Sequence, residues 1–354
     1  MVTFVGTAVQ DAFLMLVELL YLCIFIEAMS DYQTICIAGA GTMGTALGHI
    51  LADKEALDVT LLSVETSVVD EINITHYNSA YFPQIKLNPR LQATTDTSVL
   101  NVADVVFLAL PSVVVVNYLV QLSGDLNPKA LLVNLSKGFG NDNQTIVENL
   151  QQLLPNPVCT LKGPTFAREL INHIPTSMTI GAANLQVVDD VTQLFSSTII
   201  CTDSTTDVTG VELVSILKNI YAIIIGIVDA QFSSPNLRFL VFTKAFNEMR
   251  HILAYSGGHE ETMFRYCGIG DFGLTALNDL SRNRTLGLLI GKGFFSNDIP
   301  DKVVLEGKIA VGVFVDKFRS SGVPEGKYFL MNELYKVFNE PYNISTFVSR
   351  ILAS

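Results

Sequence analysis

The sequence predicts an α/β chain in two parts, a doubly wound sheet domain followed by an all-α domain. Three observations carry this reading. Short β-branched runs alternate with helix-like stretches over the first two hundred residues, the pattern of strand–helix–strand units. A glycine-rich turn sits between the first strand and the first helix. After about Thr205 the strand signals stop and long apolar helical runs take over. The expected division is an apolar extension over 1–28, a sheet domain over 29–203 and a helical domain over 204–354.

The elements follow in order. TICIAG, from Thr34, is a short apolar run fit for a buried strand, and TALGHILADK reads as the helix after it. Between them lies GAGTMG, Gly39 to Gly44, a G-x-G-x-x-G in the strand–turn–helix context that gives it meaning. Gly39 permits the turn, Gly41 lets backbone approach a pyrophosphate, and Gly44 lets helix pack on strand. The helix N-terminus adds free N–H groups and a positive dipole end. This is a Rossmann-like dinucleotide site. DVTLLSVE, 58–65, is the second strand, and Glu65 stands where an acid binds a ribose 2′-hydroxyl. Further strands are expected in 104–112, 130–138 and 176–182, in one parallel sheet. Ligands bind beyond the carboxyl ends of such strands. Pro111-Ser112 and Ser136-Lys137-Gly138 lie there, so Lys137 points toward the crevice, where it suits an anion.

In the helical half, ELVSILKNIYAIIIGI (212–227) is apolar except for a few residues, Lys218 and Asn219 at its centre. A buried ammonium is costly unless it is paired or loses its charge. The segment 268–293 then brings Asp271, Thr275, Arg282, Asn283, Arg284 and Lys292 together in a glycine-rich stretch. Arginine forks and neutral amides there suit phosphate oxygens.

Composition excludes several classes. The 354 residues are 49% hydrophobic and 16% charged, with a net charge of −12. That is a core-forming chain without the basic excess that nucleic acid requires. The five cysteines form no CxxC pair and read as reduced thiols of a cytoplasmic protein. His251 and His259, with Glu260 and Glu261, fit no common metal spacing, and no metal is expected. Residues 12–28 are strongly apolar, yet nothing in 1–28 is Lys or Arg, Glu18 interrupts the run, and it is short for a span. The expectation is that translation starts at Met29 and that no stable membrane insertion occurs; a membrane anchor and an added soluble helix are the alternatives.

Taken together the motifs resemble those of the NAD(P)-dependent glycerol-3-phosphate dehydrogenase family, most nearly its bacterial branch. GAGTMGTAL (39–47), LPS (110–112), SKG (136–138), GPTFARE (163–169) and LKN (217–219) appear in the family's order. GIGDFGLT (268–275), SRNR (281–284) and EG (306–307) continue it, so the resemblance spans about 33 to 340. It implies that Lys218 is the general acid/base, with Lys137 and Asp271 completing the catalytic set. Lys137, Asn219, Thr275, Arg282 and Asn283 would bind substrate. Gly39, Gly41, Thr42, Met43, Gly44, Pro111, Lys137, Ala167, Arg282 and Glu306 would bind the cofactor. The implied reaction interconverts dihydroxyacetone phosphate and glycerol 3-phosphate, in the direction of phospholipid synthesis, and a homodimer is the expected assembly.

Three departures matter. Val64 stands where many bacterial members have a basic residue, so NAD is expected over NADP. IAVGV (309–313) replaces a polar NTKE-like segment, and SSPNLRFLVFTK is bulkier than the usual NAR-type helix, although Asn236, Arg238 and Lys244 fit it. A related two-domain dehydrogenase for another hydroxy or keto substrate, and a non-catalytic nucleotide sensor, are the rival readings.

Overall fold

A computed structural model describes residues 32–294 and 301–353, with the side chains of 301–306 excepted. The apolar extension, with the proposed start at Met29, lies outside the described residues.

Eight strands form one sheet in the order β3-β2-β1-β4-β5-β6-β7-β8. They are β1 Thr34–Ala38, β2 Asp58–Leu62, β3 Gln92–Thr94, β4 Val105–Leu108, β5 Leu131–Asn134, β6 Val158–Lys162, β7 Thr176–Gly181 and β8 Ile200–Thr205. The first six are parallel, in the order of a dinucleotide fold whose direction of winding reverses between β1 and β4. Helices α1 Thr42–Leu51, α2 Thr66–Thr75, α3 Ser112–Gln121 and α4 Ile146–Leu153 cover its two faces, each over its own apolar core.

The sheet is not wholly parallel, as the alternation predicted. β7 runs antiparallel to β6, and β8 parallel to β7. The connection from β6 holds only the one-turn helix α5, Ala167–Leu170, which docks on α1 instead of crossing the sheet. The chain therefore re-enters from the end it left. β3, β6 and β8 were not apparent in the pattern: β3 has three residues, β6 ends in a lysine, and β8 (ICTDST) is mostly polar. Helix α6, Leu185–Phe195, joins the last two strands.

The helical half is built round α7, Val208–Gln231, capped by the Asp207 carboxylate, which accepts from Gly210 N–H at 2.9 Å. α7 is long and apolar enough to cross a membrane, but it is the buried centre of this core. Around it lie α8 Pro235–Tyr255, α9 Asp271–Leu277, α10 Arg282–Gly291, α11 Asp301–Ser320, α12 Phe329–Asn339 and α13 Ile344–Ala353. Truncating a fully buried member such as Leu217 or Ile220 to Ala would cost about 2–5 kcal/mol. α7 and α10 meet backbone to backbone. A Cβ on Gly226 would stand 2.3 Å from the Arg284 carbonyl oxygen, and one on Gly287 2.1 Å from that of Ile223.

Candidate active site

β1 delivers the glycine turn to the point where the sheet order reverses. Gly39 has φ +110°, and a Cβ there would lie 2.6 Å from the Ala109 carbonyl oxygen. A Cβ on Gly44 would lie 1.9 Å from the Gly39 carbonyl oxygen. Protein geometry alone demands both glycines. Gly41 differs, because a Cβ there would meet nothing within 4 Å. The space beside it is open, and no side chain caps the N-terminus of α1 at Thr42 and Met43. An uncapped helix start beside a vacant backbone fits a pyrophosphate.

The turn is braced from below by a residue that sequence reasoning missed. Buried Asn78 donates to the Ala40 carbonyl at 3.0 Å and to Thr45 Oγ1 at 2.9 Å. Thr45 in turn donates to the same carbonyl at 3.1 Å. Pro111 caps α3 just past β4, and Ala167 opens α5 against α1, where it packs on the same core as Met43. Glu65 is exposed at the N-cap of α2, three residues past the end of β2, beside Val64, which is 81% exposed.

The second cluster forms where α7, α9 and the turn after β5 converge. Lys218 Nζ donates to Asp271 Oδ1 at 2.7 Å and to Thr275 Oγ1 at 2.7 Å. Lys137 Nζ donates to the other carboxylate oxygen of Asp271 at 2.8 Å and to the Gly163 carbonyl at 3.2 Å. Asp271 stands at the first position of α9, where the helix dipole favours a carboxylate. Burial is the largest influence on Lys218 and pulls its ammonium down to about 7; Asp271 opposes this and Lys137 adds to it. While Lys218 is protonated, two ammoniums share one carboxylate and the cluster carries a net positive charge for an anionic guest.

Lys137, Asn219 and Asn283 line one cleft with Ser112, Ile220 and Ile309. Ile309 belongs to the apolar IAVGV departure, so that segment does reach the cleft. Arg282 is exposed at the start of α10, and among the described residues its guanidinium has no protein partner. Arg284 is used internally: it is buried and bonds Asp229 at 2.5 Å and Asp279 at 3.2 Å, while Arg238 holds Asp229 at 2.7 Å. The side chain of Glu306 lies outside the described residues. Sequence reasoning also missed Lys162 and Glu212, a buried ion pair at 3.0 Å directly behind the Lys137 turn. Nothing in the local pattern marks them, since they are fifty residues apart on a strand and a helix.

Comparison with known proteins decides the family. Residues 34–188 match the family described as NAD-dependent glycerol-3-phosphate dehydrogenase N-terminus, and residues 207–349 match its C-terminus. The chain belongs to the glycerol-3-phosphate dehydrogenase family. It is 32% identical to the glycerol-3-phosphate dehydrogenase [NAD(P)+] of Methanothermobacter thermautotrophicus, over 89% of this chain and 96% of that one. It is 36% identical to that of Leptospira biflexa, over 73% and 79%. The crystal structure of the Coxiella burnetii glycerol-3-phosphate dehydrogenase superposes with a TM-score of 0.81 at 24% identity, covering 91% of this chain and 99% of that one. The glycine turn lies within the N-terminal match, residues 34–188, and an NAD or NADP cofactor fits the family.

Proposed function

We propose that this chain reversibly reduces dihydroxyacetone phosphate to sn-glycerol 3-phosphate, with Lys218 as general acid and base. The observation that carries the reading is the Lys218–Asp271–Thr275 cluster, joined by Lys137 at the edge of the cleft. A nicotinamide cofactor, when bound, would supply or accept the hydride at C2. The protein's part is to orient the substrate and to move a proton at the C2 oxygen. A Lys218 ammonium polarises the ketone and donates its proton to the developing alkoxide. Asp271 and Thr275 hold the amine in position, and Asp271 keeps its proton affinity from falling further. Lys137 offers a second positive charge. Arg282, exposed and without a protein partner among the described residues, and Asn283, in the cleft, take the phosphate on this reading.

Glu65 and Val64 favour NAD over NADP, because a carboxylate repels a 2′-phosphate and valine offers it no cation. We place the reaction in the cytoplasm, in keeping with the four free cysteines among the described residues. The test is purified protein with dihydroxyacetone phosphate and either NADH or NADPH, followed by loss of nicotinamide absorbance. Turnover with NADH above NADPH is expected. A folded protein that binds nucleotide but consumes neither would overturn the assignment.

A further inference from the structure

We propose that Lys162 and Glu212 are positioning residues for this reaction, a sealed ion pair that fixes the Lys137 turn relative to the Lys218 helix. The inference rests on the reading of the site given above. Neither group reaches the cleft. Lys162 is fully buried at the end of β6, and Glu212 is 1% exposed on α7, six residues before Lys218.

Their bonds run to both halves of the catalytic cluster. Lys162 Nζ donates to the Asn134 carbonyl at 3.1 Å and to the Ser136 carbonyl at 2.5 Å, and Ser136 precedes Lys137. The remaining groups of Ser136 are held as well. Its N–H donates to Asn134 Oδ1 at 3.0 Å, and its hydroxyl donates to the Leu110 carbonyl at 2.5 Å. The next residue of β6's exit, Gly163, accepts from the Lys137 ammonium itself. One stretch of chain, Lys162-Gly163, therefore holds the backbone at Ser136, just before Lys137, and the tip of Lys137 itself. On the other side Glu212 accepts from Lys162, from Thr160 Oγ1 at 2.5 Å and from Asn134 Nδ2 at 2.9 Å. The carboxylate is saturated by groups of β5 and β6, and it belongs to the helix that carries Lys218.

A buried pair of this kind is a poor source of stability, since apolar replacements of similar volume are often as good. What it supplies here is orientation, because charged bonds in a dry interior are directional and strong. The two lysines on Asp271 approach it from different elements, and this pair, with Asn134 and Thr160 bonded to the same carboxylate, links those elements behind the cleft.

The test is the double variant Lys162→Met/Glu212→Gln in the full chain, which removes both charges together and leaves no unpaired ion. The expected result is a protein that melts near the parent temperature and binds NADH as the parent does. Its kcat should fall by about 10²-fold, the scale of a small misplacement of catalytic groups, with KM for dihydroxyacetone phosphate changed much less. A folded double variant with parental kcat and KM would overturn the proposal while leaving the parent's activity, measured in the same assay, intact. A parent that turns over no dihydroxyacetone phosphate would instead overturn the reading of the site and this inference with it. If the double variant does not fold, Thr160→Val, which removes one bond to Glu212, decides: a several-fold loss of kcat with NADH affinity kept supports the link, and an unchanged kcat refutes it.

Discussion

The two parts of the site are made of opposite materials. The glycine turn after β1 presents backbone and empty space, and its work is done by atoms every residue has. The cluster round Asp271 presents side-chain charge, buried and mutually dependent. The first kind of site fails when something is added, the second when something is taken away.

The sharpest way to separate them is subtraction at Lys218. Lys218→Ala should lower kcat by about 10²–10⁴-fold, the range of a general acid, while NADH affinity measured by fluorescence stays near parental. Near-normal turnover would break the mechanism. Addition at the turn comes next. Gly44→Ala forces a Cβ into the Gly39 carbonyl and should destabilise the fold by about 1–3 kcal/mol, read by denaturant titration, with loss of NADH binding. Gly41→Ala meets no protein atom, so stability should stay within about 0.5 kcal/mol while NADH binding weakens. If both variants lost stability equally, the open space beside Gly41 would not be a ligand's.

A smaller effect concerns cofactor choice. Val64→Arg should improve kcat/KM for NADPH relative to NADH by about tenfold, consistent with one new charge-assisted bond of about 1.5 kcal/mol. The smallest concerns pH. In the proposed mechanism reduction needs the Lys218 ammonium, so kcat/KM in that direction should be full below about 7 and fall as pH rises through it; oxidation would need the free amine and do the reverse. Asp271 raises the proton affinity of Lys218, so Asp271→Asn should move the falling limb to lower pH. A shift to higher pH would contradict the ion pair.

Much of this contrast was legible in the residues, and unequally. The glycine turn is a local object: six consecutive residues, a strand before and a helix after, and geometry follows. Lys218 announced itself as a charge inside an apolar helix. Its partner Asp271 lies fifty-three residues on in a separately noticed glycine-rich stretch, and no periodicity links the two; only the family's set of motifs paired them. Lys162 and Glu212 had no such signal, because a lysine that ends a strand and a glutamate that opens a helix each have an ordinary solvent-facing explanation. The antiparallel turn into β7 was hidden for a similar reason, as strand direction depends on where α5 docks and not on composition. Arg284 looked like a phosphate ligand by type and proved to be claimed by Asp229, a contact only the fold creates.

The backbone-to-backbone seam between α7 and α10 has a consequence for selectivity. Where Gly226 and Gly287 meet, neither helix has a side chain to change rotamer and let them slide. α7 carries Lys218, the proposed proton-transfer lysine, and α10 begins with Arg282 and Asn283, the proposed phosphate ligands. The span between the two ends of the bound molecule is therefore set by two rigid rods welded side by side. If the proposed roles hold, such a fixed gauge would discriminate by molecular length: a phosphate and a carbonyl at the right separation would engage both ends at once, and a homologue one carbon longer or shorter only one.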